Sequence, residues 1–165
     1  GGYMPMAITI TTQEIYDAFY ADYSEGKAFM HSHTYSGNPL GCACAFAVQK
    51  VLRRDSIIEK AQVRAEYLNR KLSERLGSHK NMGEIRHIGL INAMELVKNP
   101  ETKEGFDSAA RTGYQIYKKA LTKGLLLRPL GDVLYFNPPL IINENEILFF
   151  YFLKFLFENL VFLFL

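Results

Sequence analysis

Cysteine is scarce in this sequence: Cys42 and Cys44 are the only two among 165 residues. They lie in a stretch with helical periodicity, where each residue turns by about 100°, so the two thiols face different ways. Neither a mutual disulfide nor a shared metal is expected, which suits a reducing compartment. Metal ligands are sparse too. His31 and His33 form a His-x-His pair, but no third ligand follows at a workable spacing, so no metal is expected. Charge is nearly balanced, with 19 lysines and arginines against 17 aspartates and glutamates and a net charge of +2. There is no basic run and no interleaving of basic with aromatic residues, so nucleic acid is not an expected partner. No repeat of fixed period is present. The first residues show no basic region followed by an apolar core and a cleavage site, so no secretory signal is expected and the cytoplasm is the expected location.

What is present has a globular composition, 48 % hydrophobic and 22 % charged, which argues against wholesale disorder. The length suits one domain, or a small domain plus a piece of another. Residues 7–12 are rich in β-branched side chains and predict a strand, and Thr11-x-x-Glu14 then has the form of a capping box for a helix reaching to about Asp22. Leu40, Ala43, Cys44, Ala47, Val48, Val51 and Leu52 keep i, i+3, i+4, i+7 spacing and predict a second helix, with Arg53 and Arg54 at its negative end. Ser56-x-x-Glu59 starts a third, with Ile57, Ala61, Leu68, Leu72 and Leu76 apolar and Gly77 as its C-terminal cap. Extended patterns follow over residues 85–91 and 93–96, with Gly89 a candidate bulge. Asp107 or Ser108 caps a helix that places Ala110, Gly113, Tyr114, Tyr117 and Leu121 on one face and ends at Gly124. Residues 125–128 and 133–137 read as two short strands, and Asn143-x-x-Glu146 opens a last helix. Mixed α/β is the class this order implies.

Residues 147–165 are apolar apart from Lys154, Glu158 and Asn159. Length alone would admit a membrane span. Two charges near the middle would be costly in lipid, so a docked terminal helix of altered sequence is expected instead of membrane insertion.

The stretch His31-Ser32-His33-Thr34-Tyr35-Ser36-Gly37-Asn38-Pro39 carries the clearest chemistry. Asn38 is a natural N-cap and Pro39 a natural first helical residue. Exposed N–H groups, the positive end of a helix dipole and the hydroxyls of Thr34, Tyr35 and Ser36 together suit a phosphate, while a loop that merely caps a helix accounts for the same residues.

Three motifs carry a family resemblance: Gly1-Gly2-Tyr3-Met4-Pro5-Met6-Ala7, the loop from His31 through Asn38-Pro39-Leu40-Gly41-Cys42-Ala43, and Arg128-Pro129-Leu130-Gly131-Asp132. Together they resemble the class III, fold-type I aminotransferases that depend on pyridoxal 5'-phosphate, and the resemblance runs over nearly the whole chain. The third motif, with Tyr135 and Asn137-Pro138-Pro139 after it, resembles the branch that makes 7,8-diaminononanoate from 8-amino-7-oxononanoate in biotin biosynthesis, with S-adenosylmethionine or lysine as amino donor. Ser32-His33 stands where that branch often has glycine-proline and is closer to other members, which keeps an ω-amino acid:pyruvate-type transaminase open.

The resemblance implies that the Schiff-base lysine lies a few residues before Gly1-Gly2; no lysine here matches it, the nearest being Lys27 and Lys50. It thus implies the C-terminal part of such an enzyme: residues 1–45 as the end of the large cofactor domain, 46–77 as connecting helices and 78–165 as a small α+β domain. No catalytic residue is implied within the chain. Thr34 is implied to hold the cofactor phosphate across the interface of a homodimer. Arg128 is implied to hold the substrate carboxylate, a task for a planar guanidinium offering two parallel hydrogen bonds, with Tyr135 lining the same pocket. A chain inactive by itself, acting only as a folded remnant or dimerisation module, is the reading from another class.

Overall fold

A computed structural model of the chain describes residues 3–149. The chain divides into two compact units, Gly1–Asp55 and Ser56–Leu165.

Among its described residues the first unit holds two α-helices, a 3-10 turn at Tyr23–Glu25 and much irregular backbone. Residues 7–12 form no strand. A strand needs a neighbour for its N–H and C=O groups, and no second strand exists among the described residues of this unit. Helix α1 (Gln13–Asp17) is capped by Thr12, one residue later than expected, whose hydroxyl accepts from the Ile15 N–H at 3.4 Å. It stops at Asp17, short of the expected Asp22. Helix α2 (Pro39–Arg54) starts as expected: the Asn38 Oδ1 accepts from the Leu40 N–H at 3.1 Å and Pro39 occupies the first turn. Its only buried residue is Gly41, so the apolar stripe that reveals the helix in the sequence remains open at Leu40, Val48 and Val51, and Phe46 beside it is exposed as well.

The second unit contains the hydrophobic core. Helix α3 (Ile57–Leu76) buries Ala61, Ala65, Leu68, Leu72 and Leu76, one stripe at helical spacing. It starts where expected, with Ser56 at the N-cap, but the cap itself differs. Ser56 takes a left-handed conformation (φ 47°) and makes no side-chain cap bond, so the box with Glu59 does not form. Gly77 keeps an ordinary helical φ of −60°.

Strands β1 (Met82–Ile88) and β2 (Ile91–Leu96) form a hairpin whose two-residue turn is Gly89-Leu90. Gly89 supplies the positive φ of 53° that this turn needs, so it is a turn residue and not the expected bulge. The irregularity lies between Met82 and Glu84 instead. Asp107 caps a 3-10 turn, Ser108–Ala110, and Arg111 at φ 49° then restarts the chain as α4 (Thr112–Leu121). The buried face is Thr112, Gly113, Ile116 and Ala120: of the expected face Gly113 is buried, while Tyr114 and Tyr117 are half-buried, Leu121 is exposed and Ala110 lies in the 3-10 turn.

A second hairpin, β3 (Arg128–Leu130) and β4 (Val133–Phe136), turns at Gly131-Asp132. Residues 125–127 precede β3 without joining a strand. The four strands are antiparallel in the order β1-β2-β4-β3. The last described element, α5 (Glu144–Phe149), has the predicted reciprocal cap: Asn143 Oδ1 accepts from the Glu146 N–H at 3.0 Å while a Glu146 carboxylate oxygen accepts from the Asn143 N–H at 2.8 Å. The Phe-rich residues 150–165 lie outside the described residues.

Residues directly opposite in an antiparallel sheet share a face. The row Ile85, Met94, Leu134 and Pro129 therefore points one way, and Met94 and Leu134 in it are fully buried. The row Arg86, Ala93, Tyr135 and Arg128 points the other way. Helices α3 and α4 cover the sheet on the Met94 side.

Candidate functional site

The two predicted binding positions fall in different units, and each is described in its own. In the first unit, residues 33–38 form a pair of overlapping turns. The Ser36 N–H donates to the His33 carbonyl at 2.9 Å, the Asn38 N–H to the Tyr35 carbonyl at 3.1 Å, and the His33 N–H to the Ser36 Oγ at 3.0 Å. A line of rings leads into this turn, with centroids 5.3 Å apart for Phe19 and Phe29, 5.4 Å for Phe29 and His31, and 5.3 Å for His31 and His33. Thr34 sits exposed within the turn, and neither its hydroxyl nor its N–H donates a hydrogen bond to any described residue. Ser36, grouped with it from sequence, is partly committed, since its oxygen already holds the turn. A cleft of about 500 Å³ opens beside the turn, between Met6, Ser36 and Gly41; Thr34 does not line it. Both cysteines are free, and no group of three potential metal ligands exists among the described residues.

In the second unit, the β3–β4 hairpin places Arg128 directly opposite Tyr135. The guanidinium carbon stands 5.5 Å from the centre of the Tyr135 ring. No carboxylate pairs with Arg128 among the described residues. Arg86, at the other end of the same row, is the contrast: Glu84 at 2.7 Å and Glu95 at 3.4 Å enclose it, and they push its pKa upward, chiefly through the Glu84 hydrogen bond. Of the two arginines on this face, one is neutralised by its neighbours and the other presents free N–H donors over an aromatic plate. Such a group binds a planar anion.

Residues 1–151 match the aminotransferase class-III family. The chain belongs to that family. It is 44 % identical over 146 residues to the adenosylmethionine-8-amino-7-oxononanoate aminotransferase of Geobacter sulfurreducens, a match covering 88 % of this chain and 32 % of that protein. The putrescine–pyruvate aminotransferase of Pseudomonas aeruginosa is 35 % identical over 147 residues, 88 % of this chain and 31 % of its own. The crystal structure of the adenosylmethionine-8-amino-7-oxononanoate aminotransferase from Methanocaldococcus jannaschii superposes with a TM-score of 0.81 at 36 % identity, covering 92 % of this chain and 34 % of that one. The chain thus spans about a third of the length of the curated relatives it matches.

Class III aminotransferases use pyridoxal phosphate, and the donors of this chain fit part of that cofactor. The uncommitted Thr34 hydroxyl and N–H can serve phosphate oxygens. No signal in the sequence marked the outward row that joins Tyr135 to Ala93 and Arg86, because strand pairing creates it.

Proposed function

We propose that this chain forms the cofactor-phosphate and substrate-carboxylate part of a transaminase of biotin biosynthesis, which moves an amino group from S-adenosylmethionine or lysine to 8-amino-7-oxononanoate. The observation that carries this reading is the unpaired Arg128 guanidinium over the Tyr135 ring, in a chain 44 % identical to a relative named for that reaction. The Thr34 hydroxyl and N–H hold phosphate oxygens and so fix one end of the cofactor. Arg128 receives the substrate carboxylate through two parallel N–H donors, and the Tyr135 ring limits the planes its guanidinium can adopt. Bound cofactor supplies the electron sink that lets a proton leave the carbon bearing the amino group. This chain contributes binding and orientation: none of its lysines matches the family's attachment lysine, and the 165 residues alone transfer no amino group.

The enzyme works as a cytoplasmic homodimer in which Thr34 serves the neighbouring subunit's cofactor. The first unit leaves Ile10, Tyr23 and Met30 more than 90 % exposed, and burying such side chains against another surface is favourable. No helix among the described residues is long and apolar enough to cross a membrane.

The test places this chain in the PLP-loaded enzyme, using the matching third of the Geobacter sulfurreducens relative as the site of replacement. The hybrid is expected to aminate 8-amino-7-oxononanoate with at least one of the two donors. Arg128→Ala should raise the KM for that acceptor about tenfold to a hundredfold, the loss of a charge-assisted hydrogen-bond pair. Turnover of putrescine with pyruvate but none of the oxononanoate would overturn the assignment in favour of an ω-transaminase.

A further inference from the structure

On the outward face of the sheet, Arg128 and Tyr135 are followed in the same row by Ala93, the smallest side chain in that row. Two residues along β2 from Ala93 on the same face is Ile91, and opposite Ile91 on β1 is Ile88. Ile91 is 45 % and Ile88 77 % exposed. Tyr135, Ala93, Ile91 and Ile88 therefore make one uncharged stripe that begins at the free guanidinium and ends at the tip of the β1–β2 hairpin. Arg86 stands opposite Ala93 in the same row, but its guanidinium is held by Glu84 at 2.7 Å and Glu95 at 3.4 Å, which lie on the side away from Ile91 and Ile88.

Strands lie about 4.8 Å apart, so Ala93 is about 10 Å from Arg128 across two strand spacings. A straight nine-carbon acid extends about 10 Å from its carboxylate. A three-carbon acid gripped by Arg128 ends on the Tyr135 ring. We propose that Ala93 sets the chain length of the carboxylate this enzyme accepts, its small side chain leaving the gap through which a long unbranched acyl chain crosses from Tyr135 to Ile91. The occupant is a medium-chain ω-functionalised carboxylate, selected at one end by charge and along its length by apolar contact. The inference rests on Arg128 as the carboxylate anchor proposed above and assigns a new role to β2.

The experiment is a chain-length series in the same PLP-loaded enzyme, with straight-chain oxo acids of three to nine carbons as amino acceptors and fatty acids of four to nine carbons as inhibitors. Ala93→Leu is expected to lower the ratio of kcat/KM for the nine-carbon acceptor over the three-carbon one about tenfold or more, the range found when a few methylenes no longer fit a pocket. It should also weaken inhibition by nonanoate relative to butyrate by a similar factor. Ala93→Ser, close in volume, should keep the original profile, and Ile91→Ser should weaken nonanoate selectively. An unchanged chain-length profile in Ala93→Leu overturns the role of Ala93, and so does an equal loss for short and long acids. Failure of the biotin-pathway reading shows differently, as absent turnover of 8-amino-7-oxononanoate by the unsubstituted enzyme, and the inhibition series still decides Ala93 in that case.

Discussion

Gly41 and Gly113 both lie inside helices, yet replacing each with alanine should move stability in opposite directions. On an isolated helix the change stabilises by about 0.5–1 kcal/mol, because glycine surrenders more backbone freedom on folding. At Gly41 the added methyl would meet Met6 Sδ at 3.8 Å and the Pro5 carbonyl at 3.9 Å, ordinary contact distances, so the helical gain survives. At Gly113 the same methyl would lie 2.2 Å from the Gly131 carbonyl oxygen and 3.3 Å from its carbon. Neither backbone can withdraw freely, since the Gly113 N–H donates to Asp132 Oδ1 at 3.0 Å across this contact. Overpacking costs about 1–3 kcal/mol, and loss of the cap that Asp132 supplies costs about 1 kcal/mol more. After subtracting the helical gain, Gly113→Ala should destabilise by about 2 kcal/mol. Urea unfolding of the chain followed by circular dichroism should show its midpoint falling by about 1 M, given the usual slopes for a protein of this size. Gly41→Ala should leave the midpoint in place or raise it. A Gly113→Ala protein unfolding at or above the parent's midpoint would refute the reasoning, because it would mean that α4 does not press on the β3–β4 turn. The contact also bears on the proposed site, since that turn joins the strands carrying Arg128 and Tyr135.

Two further outcomes test local features. Asn143→Ala should remove the reciprocal cap of α5 and cost about 1 kcal/mol, seen as faster amide hydrogen exchange at Glu146 and Ile147; exchange unchanged at both would contradict it. Lys71 donates to Glu74 at 2.8 Å and this hydrogen bond is the largest cause holding the Glu74 carboxyl below its usual pKa. A depressed carboxyl adds stability above its unfolded pKa and loses it as pH falls through the folded value, so an NMR titration should find Glu74 ionising at lower pH than in a peptide, and Lys71→Met should return it toward normal.

Helix α2 shows how far local chemistry reaches. Asn38, Pro39 and the apolar spacing from Leu40 onward specify its start, length and stripe without reference to any other part of the chain, because capping and periodicity are properties of neighbouring residues. The α5 capping box is equally local. By contrast, the strand expected at residues 7–12 does not form, since a strand is completed only by a partner that sequence cannot supply. Gly89 could be recognised as a special backbone position, but whether it made a bulge or a turn depended on β1 and β2 pairing. The buried side of α4 was misplaced because Tyr114, Tyr117 and Leu121 keep helical spacing as well as Thr112, Ile116 and Ala120 do, and only packing against the sheet decides which face turns inward.

Arg128 and Tyr135 were singled out as individuals only through the family resemblance of the residues around them. What sequence could not state is that they stand opposite each other, which depends on the register of the short β3–β4 hairpin, and that Ala93 comes next in the row, which depends on β2 pairing with a strand far along the chain. Local sequence determined which segments became helices, where α2 and α5 begin and which residue types could hold an anion; tertiary structure alone decided which side chains share a face. The reason is that helix hydrogen bonds close within four residues, whereas those of a sheet close only when distant parts of the chain meet.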